Sequence, residues 1–133
     1  MQSPYSRTLA DLLFEQADRH GHRPAVICDD RIISYADLAR RATCVAASLR
    51  ARGLTRGDRV GLLVNNRVEW LEVFFGTAIA GGVTVAFSTW STADELDWLL
   101  RDSDVRVLVT LDRFSDNDFA ALLRDRTSYS TLC

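Results

Sequence analysis

The sequence predicts an α/β fold built around a βαβαβ unit, and three observations carry that prediction. Apolar, β-prone runs stand at Arg59–Val64, Val83–Phe87 and Val105–Thr110, and they begin 22 to 24 residues apart. Each interval holds a stretch with apolar residues at helical spacing. The runs are continuously apolar rather than alternating, as in parallel strands covered on both faces. Strand, helix and strand in repeated order make a parallel sheet with right-handed crossovers.

The elements follow in chain order. Thr8 to Arg19 reads as a helix, with Leu9, Leu12, Leu13 and Ala17 on one stripe and Phe14 beside it. The segment His20-Gly-His-Arg-Pro24 stops it. Ala25–Cys28 and Arg31–Ile33 are short β-prone runs joined by Asp29-Asp30, which reads as a small hairpin. Ser34-Tyr-Ala-Asp37 has capping-box spacing and opens a helix through Leu38, Ala42, Val45, Ala46 and Leu49 to Arg52, closed by Gly53. After the first strand of the unit, Arg67 to Ala80 is helical, and Trp70, Phe74 and Phe75 are expected to anchor the core. Gly81-Gly82 ends that helix. Thr92-Ala-Asp-Glu95 is a second capping-box match, opening a helix through Leu96, Leu99 and Leu100. Asp116 to Arg124 is expected as a short last helix, and residues 127–133 as a loose tail without pattern.

Composition narrows the function classes. The 133 residues are 47% hydrophobic and 26% charged, with a net charge of −2, as in an ordinary soluble domain. No basic stripe is present to neutralise a phosphate backbone, so nucleic acid is not expected as a partner. Every basic residue is arginine, and the chain has no lysine. Chemistry that needs a lysine amine is therefore excluded within these residues. Cys28, Cys44 and Cys133 are sparse and odd in number, which fits a reducing, cytoplasmic setting. Cys28 and Cys44 read as buried thiols, and no Cys/His cluster supports a metal site. No secretory leader stands at the start, and the most apolar region, Val73 to Phe87, is too short and interrupted to cross a bilayer.

Few motifs carry chemistry. The first strand of the unit runs into Asn65-Asn-Arg-Val-Glu-Trp70, with no GxGxxG and no P-loop, so a dinucleotide site is not expected. Asn65 and Asn66 lie at a strand's carboxyl end, where open α/β sheets take ligands, but they read first as helix caps. Ser88-Thr-Trp-Ser-Thr92 follows the second strand and reads first as a turn leading to the Thr92 cap. His20 and His22 read as surface loop residues. Arg56-Gly-Asp58 reads as a turn before a strand. No nucleophile stands beside a base.

Taken together, several segments resemble the acyl-adenylate-forming superfamily of acyl-CoA synthetases, luciferases and adenylation domains. These are Ser34-Tyr-Ala-Asp-Leu38, the run Arg52-Gly-Leu-Thr-Arg-Gly-Asp-Arg-Val-Gly-Leu-Leu-Val-Asn-Asn66, the helix and Gly-containing turn over Glu69–Val85, and Thr92–Thr110. The resemblance covers about Thr8 to Phe114. It implies the first part of the large N-terminal domain of a synthetase, a partial three-layer sheet, with residues 1–133 forming an incomplete subdomain. Where such relatives commonly have Pro and Asn after the second strand, this chain has Ala86-Phe-Ser-Thr-Trp90. In some CoA-using relatives that loop lies near the CoA site, which makes Ser88, Thr89 and Trp90 candidate CoA-rim residues.

The resemblance implies ATP, magnesium and CoA for a full-length parent, with a carboxylic acid as substrate. It also implies that the phosphate loop, the magnesium and ribose acids and the catalytic lysine lie outside these residues, so the chain alone is expected to be inactive and to bind no cofactor. Unfilled positions beside the parallel strands would leave an open edge and a half-covered apolar face, inviting self-association. The alternative is a stand-alone small α/β binding or regulatory module, which a closed monomer with every sheet face covered would favour.

Overall fold

The computed structural model describes residues 7–124 and the backbone of 130–132. Helix α1 spans Leu9–His20, and the Thr8 hydroxyl accepts from the Asp11 N–H at 3.1 Å. Gly21 ends the helix with φ −49°, so left-handed freedom is not what it supplies. A Cβ there would lie 2.6 Å from the Ala17 carbonyl oxygen, and the position needs a residue without one. Strands β1 (Pro24–Cys28) and β2 (Arg31–Ser34) form the antiparallel hairpin, turning through Asp29 at φ 50°.

Helix α2 spans Tyr35–Ala51. Ser34 caps it by accepting from the Asp37 N–H at 3.1 Å, but the cap is one-sided. The Asp37 carboxylate, one methylene shorter than glutamate, meets the Ser34 hydroxyl at 3.3 Å rather than its backbone N–H. Leu13, Ile33, Leu38, Ala39, Ala42 and Val68 make one core, which docks α1 and the hairpin onto the rest.

The main sheet contains β3 (Arg59–Leu63), β4 (Val83–Ala86), β5 (Val107–Thr110) and β8 (Ser130–Leu132), all parallel, in the order β4-β3-β5-β8. The anticipated βαβαβ unit is present, with α3 (Val68–Ile79) and α4 (Ala93–Ser103) as its crossovers. Alternate residues divide between two layers. Val60, Leu62, Val64, Val107 and Val109 face α2 and α3, whereas Leu63 and Leu108 face α4 and α5 (Phe119–Arg124). Gly61 lies on the second face, where a Cβ would be 2.8 Å from both Leu108 and Phe87 side-chain atoms.

The core anchors differ from expectation. The fully buried positions of α3 are Val68 and Thr77, while Trp70, Phe74 and Phe75 are half-buried. Small residues make the α2–α3 seam: Ala42 and Ala46 are fully buried, and a Cβ on Gly76 would lie 2.7 Å from Val45. Backbones this close leave no room for large rings, which stack along the flank instead, Trp70 on Phe74 at 5.3 Å and Phe74 against Phe75 at 5.2 Å.

Two further differences concern the end of the chain. The last helix begins at Phe119 rather than Asp116, because β6 (Arg113–Phe114) and β7 (Asn117–Asp118) form a tiny hairpin ahead of it. The tail expected over 127–133 lies partly outside the described residues. Its described backbone, Ser130–Leu132, pairs with Val107–Val109 of β5.

Helix α4 opens with a complete capping box: Thr92 accepts from the Glu95 N–H at 3.3 Å, and Glu95 accepts from the Thr92 N–H at 2.8 Å. Thr92→Ala is expected to cost about 1 kcal/mol in urea denaturation. Gly76→Val is expected to cost about 1–3 kcal/mol, because the α2–α3 seam must open to admit the side chain. A Gly76→Val variant as stable as the parent would show that the seam is not close-packed.

Candidate functional site

The loops at the carboxyl ends of β3, β4 and β5 lie at one end of the sheet because the strands are parallel, and open α/β sheets take ligands at that end. The loop after β4 is fixed by its own bonds. The Ser88 hydroxyl accepts from the Trp90 N–H at 3.2 Å, and the Ser88 carbonyl accepts from the Ser91 N–H at 3.2 Å. Asn117 in β7 donates through Nδ2 to the Thr89 carbonyl at 3.1 Å. The Trp90 indole meets Phe114 of β6 edge-on at 5.1 Å. The β6–β7 hairpin therefore braces this loop across a separation of 28 residues.

The three candidate rim residues have different environments. Thr89 is buried, Ser88 is exposed with its hydroxyl engaged in the loop, and Trp90 is 73% exposed although its orientation is held by Phe114. The ring is thus held in one orientation with most of its surface in solvent. Residues 87–92 contribute no cation to pair with a phosphate. Asn117 and Phe114, the residues that fix this loop, gave no sequence signal, because their partners lie far away in the chain.

At the end of β3, neither asparagine caps α3. Arg67 occupies the cap position and makes no side-chain cap bond. Asn65 Oδ1 is buried and has no hydrogen-bond partner among the described residues. A cavity of about 420 Å³ opens nearby, between α2, α3 and the ends of β3 and β5. Cys44 lies on its rim and is exposed, on the outward stripe of α2, rather than buried as expected; Cys28 is half-buried.

The perturbed acids serve local structure. Asp58 is held below the ordinary aspartate range by the Thr55 N–H at 2.8 Å and the Thr55 hydroxyl at 2.9 Å, with Arg106 adding to the effect. The Arg56-Gly57-Asp58 triplet is thus an inward-tied turn. Hydrogen bonding from the Ala121 N–H at 2.9 Å, joined by Arg113, lowers Asp118. Glu69 is lowered by its bond from Arg31 at 2.8 Å, which ties the β1–β2 hairpin to α3.

These acids do not assemble. No group of three His, Cys, Asp or Glu residues able to hold a metal occurs among the described residues. The chain has no lysine either. No described helix is long and apolar enough to cross a membrane.

The family match and the shared fold identify the chain as part of the N-terminal region of an adenylate-forming enzyme. Residues 13–132 match the family described as AMP-binding enzyme, and the chain belongs to that family. It is 34% identical over 114 residues to the fatty acid–[acyl-carrier-protein] ligase ScoC of Streptomyces coeruleorubidus, covering 86% of this chain and 22% of that protein. It is 32% identical over 107 residues to the long-chain-fatty-acid–CoA ligase of Bacillus subtilis, covering 80% and 19%. The chain therefore spans about a fifth of the length of these curated relatives. Among solved structures, the anthranilate CoA ligase AuaEII in complex with anthranoyl-AMP superposes with a TM-score of 0.80 at 26% identity, over 94% of this chain and 24% of that one. VinN superposes at 0.84 with 22% identity, over 98% and 32%, a likeness of fold.

The Arg31–Glu69 pair gives a pH test. Because the folded-state pKa of Glu69 is depressed, its contribution is present above the ordinary glutamate range and is lost as pH falls through the lower folded value. Both side chains are nearly half exposed, so Glu69→Gln is expected to cost no more than about 1 kcal/mol at pH 7. The difference between variant and parent should vanish in acid. A gap that persists unchanged at pH 3 would show that the ion pair is not its source.

Proposed function

We propose that this chain forms the leading part of the N-terminal domain of an ATP-dependent, AMP-forming acyl-CoA synthetase. In that reaction a carboxylate attacks the α-phosphate of ATP, giving an acyl adenylate and pyrophosphate, and a thiol then displaces AMP to give a thioester. The carrying observation is the match over residues 13–132 together with fatty-acid ligases among the relatives. The role of these residues is architectural: they supply a packed parallel sheet against which the rest of such an enzyme is built. CoA is preferred to a carrier protein as acceptor because Trp90 offers a flat ring at the surface, suited to a purine. Free thiols at Cys28 and Cys44 fit a cytoplasmic setting.

By itself the chain lacks what the reaction requires. Charge developing on the transferred phosphate needs a cluster of donors, a metal-binding acid and a positioned lysine. The chain has no lysine, and each perturbed acid serves a turn, a cap or an ion pair. Its open edge supports self-association. Val83 and Phe87 send their N–H groups to β3, so the alternating Thr84 and Ala86 turn theirs outward. The edge run Val83–Ala86 carries no charge and no proline to guard it, and a second copy's β4 fits it as an antiparallel partner.

Carboxylate-dependent ATP–pyrophosphate exchange with the purified chain is expected to be absent across fatty and aromatic acids. Exchange that survives removal of contaminating synthetases would overturn the assignment of the chemistry to residues beyond these. In a longer polypeptide that is active and contains this sequence, Trp90→Ala should raise the KM for CoA about two- to tenfold and leave the exchange step unchanged. Equal loss in both steps would remove Trp90 from the CoA site. Sedimentation should show concentration-dependent dimers that Thr84→Pro abolishes; a strict monomer would refute pairing at the edge.

A further inference from the structure

The β6–β7 hairpin has two rungs, Arg113 opposite Asp118 and Phe114 opposite Asn117. Cross-strand partners send their side chains to one face of a ribbon, and successive residues send theirs to opposite faces. The two rungs therefore point in opposite directions. The first closes the hairpin and anchors it. The Arg113 guanidinium donates to Oδ2 of Asp118, and Oδ1 of the same carboxylate accepts from the Ala121 N–H at 2.9 Å. That second bond ties the hairpin to the first turn of α5, which buries Phe119 and Leu123 in the core.

The second rung grips the loop after β4. Asn117 donates through Nδ2 to the carbonyl of buried Thr89 at 3.1 Å. Phe114, itself packed against the core around Leu96 and Phe119, meets the Trp90 ring at 5.1 Å between centroids. The loop's own bonds, from the Trp90 N–H to the Ser88 hydroxyl and from the Ser91 N–H to the Ser88 carbonyl, shape its backbone and leave the indole rotamer unset. Exposed side chains exchange rotamers in picoseconds to nanoseconds. One aromatic contact biases such an exchange about two- to tenfold.

We infer that Asn117 and Phe114 are positioning residues, which from a single cross-strand rung hold the loop after β4 and the Trp90 ring in the orientation that meets CoA. The CoA part of this rests on the proposed placement of Trp90 in the CoA site; the positioning part does not. Each residue acts through the loop rather than on the ligand. Binding then scales with the fraction of molecules whose ring is in place, so loss of either holder weakens CoA by no more than loss of the ring itself.

The test has two arms. In the isotopically labelled 133-residue chain, Asn117→Asp keeps the side-chain shape and removes the donor, and Phe114→Leu removes the aromatic contact. Each should raise the mobility of the Trp90 indole N–H in nitrogen relaxation and leave the Trp70 and Trp98 signals unchanged, whereas Phe114→Tyr should keep Trp90 rigid. Asn117→Ala serves if the aspartate variant does not fold. Trp90 relaxation that matches the parent in the Asn117 and Phe114→Leu variants overturns the inference. In an active longer polypeptide that contains this sequence, the same variants should raise the KM for CoA about two- to tenfold and leave kcat and pyrophosphate exchange unchanged. They should add nothing in a Trp90→Ala background. An equal fall in exchange, or a further rise in KM on top of Trp90→Ala, overturns action through the ring. A Trp90→Ala variant with parental KM removes Trp90 from the CoA site, and the relaxation arm still decides whether the rung holds the ring.

Discussion

Burial of β3 on both faces is the constraint on which the rest of the structure depends. Val60, Leu62 and Leu63 are fully buried, so neither side of the strand can meet water. A strand of this kind needs a helical layer above and below it, and parallel neighbours to satisfy its backbone. Helices α2 and α3 supply one layer, α4 and α5 the other, and β4 and β5 flank the strand. The close approach of α2 to α3 follows from the same need. Two helices must share one face of a narrow sheet, and Ala42, Ala46 and Gly76 let them do so.

Much of this was legible in the sequence because it is local. Helix starts at Thr8, Ser34 and Thr92 declare themselves through capping hydroxyls, and the apolar runs declare the strands. What was not legible depends on distant partners. That Trp70, Phe74 and Phe75 are half-buried follows from how tightly α2 approaches, which periodicity does not encode. The β6–β7 hairpin has two residues on each side, too few for an alternating pattern. Arg67 at the α3 cap position, with two asparagines before it, reflects the path of the chain out of β3 rather than the capping strength of its residues.

The loop holding Ser88, Thr89 and Trp90 was legible in place but not in detail. The carboxyl ends of the strands follow from strand order alone, and Ser88-Thr89-Trp90 falls there. Which of the three faces solvent is decided by Phe114 and Asn117, residues that sequence reading had assigned to no role. The arginine-only composition was the most informative negative feature, since it separates this sheet from any chemistry that requires a lysine.

Trp90 and the α2–α3 cavity lie at the same end of the sheet but belong to different layers. Trp90 precedes α4 and is braced by the hairpin leading into α5, whereas the cavity beside Arg67 lies between α2, α3 and the strand ends. The divergence arises because the connections after β3 and β5 leave to opposite faces. A single buried strand therefore generates two separate surfaces, one carrying an oriented indole and the other an apolar hollow edged by Arg67. Neither needs the other to form. Their separation follows from topology, since α3 and α5 pack on opposite faces of the sheet.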